Sequence, residues 1–137
     1  MKYLFKNGTV VSGRGTRRAD VLVENEKIFQ VGRNLSDPLA RAIDVTGKLL
    51  MPGLKNAHTH SAMTFLRSFA DDLPLLDWLN KQVFPREAKL TGEDCYWLTK
   101  LAVLEYLSGG TTAIFEMYFF PEEVARAVTE CGMRTVF

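Results

Sequence analysis

The sequence predicts an α/β protein built in two stretches, a β-rich one over residues 1–50 and a strand–helix alternation over residues 51–137. Three observations lead there. Up to residue 50 the apolar runs are short and separated by the turn-forming pairs Asn7-Gly8, Asn25-Glu26 and Thr46-Gly47. Beyond Pro52-Gly53 the runs alternate between strand-like and helix-like spacing. The chain has 137 residues, 47% apolar and 24% charged, which suits a globular protein with a modest core.

In the first stretch, residues 3–6 and 9–11 flank Asn7-Gly8, the strongest two-residue hairpin signal. Residues 19–24 and 27–31 form a second pair around Asn25-Glu26. Residues 42–45, a turn at Thr46-Gly47 and residues 48–51 follow. Such strands make a β-sandwich or a β-roll. They supply only half a core, so another layer has to cover the remaining face.

In the second stretch, residues 54–58 read as a buried strand. Residues 61–90 are a long connection with helical pieces, one of them over 75–84 and stopped by Pro85. Asp71 and Asp72 are placed to cap Leu73 and the next helical piece, and Arg67 to pair with one of them. Thr91 with Asp94 three residues later resembles a capping box. Leu98, Leu101, Ala102, Glu105 and Leu107 then fall near helical spacing, and Gly109-Gly110 end the helix. Residues 111–117 are a strand. Pro121, followed by Glu122 and Glu123, opens a helix that runs to about Cys131 and stops at Gly132. Residues 133–137 begin a further strand. Three strands joined through helices build a parallel sheet by right-handed crossovers. On topology alone this sheet belongs to part of a (β/α)₈ barrel, which takes about 250 residues to close, or to an open doubly wound sheet.

Charge excludes several partners. There are 17 Lys and Arg against 16 Asp and Glu, a net charge of +1. That balance leaves no electrostatic footprint for nucleic acid, and no basic run suits an anionic membrane. No apolar run approaches the ~18 residues of a membrane span. Lys6, Asn7 and Gly8 interrupt the N-terminus before a signal-peptide core can form, so a cytoplasmic location is expected. Cys95 and Cys131 lie on predicted helices and read as reduced thiols.

The chemistry concentrates in Met51-Pro52-Gly53-Leu54-Lys55-Asn56-Ala57-His58-Thr59-His60. The chain has two histidines, and they are two residues apart. On a strand, positions i and i+2 point to the same side. Both imidazoles then aim at one point at the strand's C-terminal end, where barrels place their active sites. Neutral imidazole is the commonest metal ligand, and zinc accepts it readily. Asn56 lies two residues before His58 and is placed to support the layer beneath the ligands. Glu116, near the end of the next strand, faces opposite to Phe115 and Met117 and is a candidate to back the metal ligands. Phe115, Tyr118, Phe119 and Phe120 read as core and loop packing.

The run Pro-Gly-Leu-x-Asn-x-His-Thr-His after a β-rich segment resembles the first barrel strand of the amidohydrolase superfamily. Ala62-Met63-Thr64-Phe65-Leu66-Arg67, Asp71-Asp72-Leu73, Asp77-Trp78-Leu79 and Gly109-Gly110-Thr111-Thr112 resemble one branch of it. That branch comprises the 5′-methylthioadenosine/S-adenosylhomocysteine deaminases and their chlorohydrolase-like relatives, and the likeness runs along essentially the whole chain. The resemblance implies half of a composite β-sandwich over 1–50. Over 51–137 it implies the first three strands and two helices of an incomplete TIM (β/α)₈ barrel.

It also implies that His58 and His60 are two protein ligands of a single Zn²⁺, and that Trp78 and Glu87 hold a nucleoside. The tryptophan would lie against the substrate and the glutamate on the ribose hydroxyls. A carboxylate can accept hydrogen bonds from both hydroxyls of a vicinal diol. The implied reaction is zinc-dependent hydrolytic deamination of an adenine nucleoside, in which water adds at the amine-bearing ring carbon and ammonia leaves. Guanine or cytosine deamination and triazine hydrolysis are the alternatives within the family. The further histidine and aspartate ligands that the family uses are not among these residues. A catalytic zinc takes three or more protein ligands. The chain by itself is therefore expected to be an inactive, truncated fragment that holds zinc weakly or not at all. Its open edge at 133–137 is expected to favour a homo-oligomer.

Overall fold

β1 (Lys2–Ser12) is the central strand of the first unit, Met1–Pro52. It pairs antiparallel with β2 (Gly15–Glu24), which pairs antiparallel with β3 (Lys27–Gly32). On its other side β1 takes β4 (Arg41–Asp44) and then β5 (Leu49–Leu50), both parallel. The coordinates are a computed structural model that describes residues 1–137. The turn between β2 and β3 forms as expected: Asn25 and Glu26 both have positive φ, 48° and 67°, the geometry that lets a two-residue loop follow the strand twist.

Asn7-Gly8 does not turn the chain. β1 runs straight through it as one strand with a bulge between Phe5 and Gly8. Asn7 takes the positive φ, 65°, but its N–H donates to Asp20 Oδ1 at 2.8 Å and its side-chain amide to Asp44 Oδ1 at 3.0 Å. A left-handed asparagine serves a bulge as well as a turn, and here partners on both neighbouring strands select the bulge. Asp20 is buried, and also accepts from the Leu35 N–H at 2.9 Å, so this interior carboxylate is satisfied by backbone donors. Leu4, Ala19, Val21, Leu22 and Val45 are buried, while Ile28, Phe29 and Leu49 are exposed.

The second unit, Gly53–Phe137, is a parallel three-stranded sheet in the order β6 (Leu54–Thr59), β7 (Thr111–Glu116), β8 (Arg134–Val136). Between β6 and β7 come a 3₁₀ turn (Ser61–Leu66), α1 (Leu75–Asp77), a π-helical stretch (Trp78–Val83), α2 (Phe84–Glu87) and α3 (Gly92–Ser108). α4 (Pro121–Glu130) joins β7 to β8. Ala62, Cys95, Val103, Ile114, Val124, Val128 and Met133 form the buried core between sheet and helices. Both cysteines are free, and burial pushes the Cys95 thiol up. The Lys100 ammonium and the Tyr96 hydroxyl both donate to Glu130 Oε2, at 2.7 and 2.5 Å, and fasten α3 to α4. No helix is long and apolar enough to cross a membrane.

Four expectations are corrected here. β6 is mostly exposed, Leu54 included at 52%, and only Thr59 is buried, because β6 pairs on one side alone. Pro85 does not stop the helix, which continues to Glu87. The π-helical register ends at Val83, so Pro85 falls in the first turn of α2, where a missing N–H costs nothing. α1 follows Pro74 without any side-chain cap, so Asp71 and Asp72 do not serve it. Arg67 pairs with Glu105 on α3 at 2.8 Å, not with either aspartate.

The capping box of α3 is complete. Thr91 Oγ1 accepts from the Asp94 N–H at 3.2 Å, and Asp94 Oδ2 accepts from the Thr91 N–H at 2.8 Å. Thr91→Ala is expected to cost about 1 kcal/mol of unfolding free energy in urea titration. The bonds to the Thr91 hydroxyl and backbone N–H hold the Asp94 carboxyl below its ordinary 3.8. A lowered carboxyl stabilises the fold above the unfolded value. The contribution is therefore present at neutral pH and fades only as pH falls below 3.8, and the stability gap between wild type and Asp94→Asn should narrow in that window.

Candidate active site

β6 ends at Thr59, and His60 lies between it and the 3₁₀ turn. The pairing of β6 with β7 is irregular between Asn56 and Thr59: Asn56 pairs with Ile114 and Thr59 with Glu116. An extra residue is thus accommodated on β6, so strict alternation does not carry from Asn56 to His60. The Asn56 side chain reaches forward along its own strand and accepts from the His58 N–H at 3.2 Å. The two imidazoles nevertheless meet, with ring centroids 4.9 Å apart at an interplanar angle of 81°. His58 is exposed and His60 half-buried.

The end of β7 holds residues 59–61 in place. The Met117 N–H donates to Thr59 O at 3.2 Å, and Met117 O accepts from His60 Nδ1 at 2.6 Å. That acceptor puts the His60 proton on Nδ1 and leaves the Nε2 lone pair free, the arrangement of a metal-ligating histidine. Glu116 is 2% exposed and accepts from the Ser61 N–H with both oxygens, at 3.0 and 3.3 Å. It touches the backbone next to a candidate ligand and not the imidazole itself. Beneath it the Tyr106 hydroxyl bonds to Thr59 Oγ1 at 2.5 Å and to Ser61 Oγ at 3.2 Å. Two adjacent imidazoles, one with its proton fixed away from the open side, suit zinc. No group of three or more His, Cys, Asp or Glu side chains stands together in the chain to complete a site.

His60 also borders a cavity of about 520 Å³. Trp78, Leu79, Phe84, Met117 and Phe119 make most of its wall apolar, and Glu87 supplies a carboxylate. Trp78 and Glu87, nine residues apart, face the same space because the helical segment does not break at Pro85. Glu87 is 9% exposed and accepts from the Tyr118 hydroxyl at 2.7 Å. Burial, then that bond and the Glu87 charge, push the Tyr118 phenol far above its ordinary 10.0, so it stays a donor. Tyr118 packs against the core, as expected of this aromatic run, and its hydroxyl in addition reaches Glu87, which the run of aromatics did not signal. Phe115, Phe119 and Phe120 are 51%, 52% and 42% exposed, whereas Tyr118 is part-buried and lines the cavity. Its position two residues beyond Glu116 was the available signal.

Comparison with known proteins gives this arrangement a family. The profile of the Amidohydrolase family matches residues 49–137. A 5-methylthioadenosine/S-adenosylhomocysteine deaminase of Pyrococcus abyssi is 43% identical over 136 residues, 98% of this chain and 32% of that protein. A 5′-deoxyadenosine deaminase of Methanothermobacter thermautotrophicus is 48% identical over 128 residues, 93% of this chain and 30% of that protein. Among solved structures, an adenosine deaminase from Xanthomonas campestris with bound zinc superposes with a TM-score of 0.81 at 34% identity. That match covers 98% of this chain and 33% of that one. The chain thus spans about a third of the length of the curated relatives it matches. The fold is that of a partial β-sandwich followed by the opening strands and helices of a TIM barrel, and the chain belongs to the amidohydrolase family.

Proposed function

We propose that this chain contributes the first metal ligands and the nucleoside-binding wall of a hydrolytic deaminase acting on an adenine nucleoside of the methylthioadenosine or S-adenosylhomocysteine type. The observation that carries the reading is a pair of neighbouring imidazoles, one of which, His60, borders a largely apolar cavity that also holds a buried carboxylate. The names of the relatives, adenine nucleoside deaminases at 43% and 48% identity, support the substrate class.

In this reading His58 and His60 hold zinc, with the remaining ligands contributed from outside residues 1–137. When bound, the ion supplies Lewis-acid activation of water for addition to the amine-bearing ring carbon. The residues of this chain do the rest of the positioning. Met117 O keeps the His60 proton on Nδ1 and the ring turned. Glu116 steadies the backbone just beyond His60, and Asn56 steadies that of His58. Trp78 offers an apolar surface for the ligand, and Glu87 accepts from ribose hydroxyls while the apolar wall excludes water. The β strands of Met1–Pro52 form half of a composite sandwich.

The complete protein should release ammonia from 5′-methylthioadenosine and contain zinc. His58→Ala and His60→Ala should each lower kcat/KM by about 10³-fold or more and deplete the metal. Normal turnover in the double variant would overturn the assignment. Efficient deamination of free guanine or cytosine with none of adenosine derivatives would move the substrate to the base deaminases.

Glu116→Ala leaves the buried Ser61 N–H without its acceptor, and is expected to cost about 1–3 kcal/mol in denaturant unfolding. It should also weaken zinc binding about 10-fold or more in chelator competition. Glu116→Gln keeps an acceptor oxygen and should retain most of both.

A further inference from the structure

The helical segment 75–87 brings Trp78 and Glu87 to the cavity, yet its own polar contacts are nearly all local. Lys81 pairs with Asp77 at 2.9 Å, and the Asn80 amide donates to Leu76 O at 2.8 Å. Arg86 donates to the Gln82 carbonyl and side chain at 2.8 and 3.0 Å and stacks over Phe69 at 4.2 Å. One side-chain hydrogen bond leaves this neighbourhood, from the Tyr118 hydroxyl to Glu87 Oε1 at 2.7 Å. Tyr118 stands just past β7, with its ring 6.4 Å from that of His60 and packed edge-on to Phe119 at 5.3 Å. It therefore spans the distance between the histidine pair and the carboxylate.

We propose that Tyr118 is a positioning residue: its hydroxyl latches Glu87, and through it the segment 75–87, to the end of β7, and so sets the affinity for the hydroxyl-bearing part of the ligand. The inference rests on the reading of Glu87 as the ribose-binding carboxylate. The phenol has one proton to give and gives it to Oε1. The carboxylate keeps further lone pairs and can only accept with them, so the latched site selects ligands that bring O–H or N–H donors to the apolar cavity. A tyrosine hydroxyl bonded to a charged acceptor in a part-buried setting also fixes the carboxylate rotamer before the ligand arrives, which lowers the ordering cost of binding.

The test compares Tyr118→Phe with wild type in the complete, zinc-loaded protein on two ligands, an adenine nucleoside with its ribose diol and the 2′,3′-dideoxy counterpart. The ring, its packing and its place beside His60 are kept, and only the hydroxyl is lost. KM for the diol nucleoside should rise about tenfold, with kcat within about twofold and zinc content unchanged. KM for the dideoxy nucleoside should not move, a selectivity that general loosening of the site would not produce. Tyr118→Leu, a second variant without the hydroxyl, should lose discrimination between the two ligands in the same direction. An unchanged KM for the diol nucleoside, or an equal rise for both ligands, overturns the latch while leaving Glu87 as the diol acceptor. If Glu87→Ala discriminates diol from dideoxy ligand as wild type does, the role of Glu87 itself has failed and the latch falls with it.

Discussion

Hydrogen bonds of Glu116 and Met117, at the end of β7, hold the chain where it leaves β6, and the candidate site hangs on them. Met117 binds Thr59 through its N–H and His60 through its carbonyl, and Glu116 binds the Ser61 N–H. Each bond restrains a different atom of three consecutive residues. Together they set where the backbone turns from strand to 3₁₀ helix, which tautomer His60 adopts and which way its free nitrogen points. A buried carboxylate bonded to one backbone N–H is costly unless the geometry around it is kept. That cost is what makes the arrangement specific.

β7 can act as this splint because it is the central strand of the sheet. It pairs with β6 on one side and β8 on the other, and Ile114 is buried in the core with Val103, Val124 and Val128. α3 and α4 are fastened to each other through Lys100, Tyr96 and Glu130. The cavity is thus lined on one side by residues just past β7, and on the other by segment 75–87, whose side-chain hydrogen bonds are mostly local and which buries Val83.

Some of this was legible in order along the chain. The Thr91/Asp94 cap, the Asn25-Glu26 turn, Pro121 opening α4 and Gly132 ending it are local devices, decided by atoms within a few residues of one another. Asn7-Gly8 and Pro85 are local signals that gave the wrong outcome. In each case the deciding partner is remote or the register had already shifted: Asp20 and Asp44 take the donors of Asn7, and the π-helical turn moves Pro85 into a first-turn position. The pairing of His58 with His60 was readable from their spacing, although the bulge on β6 means that Asn56 does not reach them by simple alternation.

The sequence by itself determined which chemistry was available, because a chain with two histidines two residues apart after a strand has one place to put them. It also determined the parallel βα order, since neighbouring strands separated by a helix have to cross over. Only the tertiary structure decided that Glu116 faces inward to Ser61, that the Tyr118 hydroxyl reaches Glu87, and that Trp78 and Glu87 share a cavity with His60. The first two of these are hydrogen bonds between residues 55 and 31 positions apart. Side-chain facing and long-range hydrogen bonds depend on strand register and bulges, and no local pattern of residues encodes them.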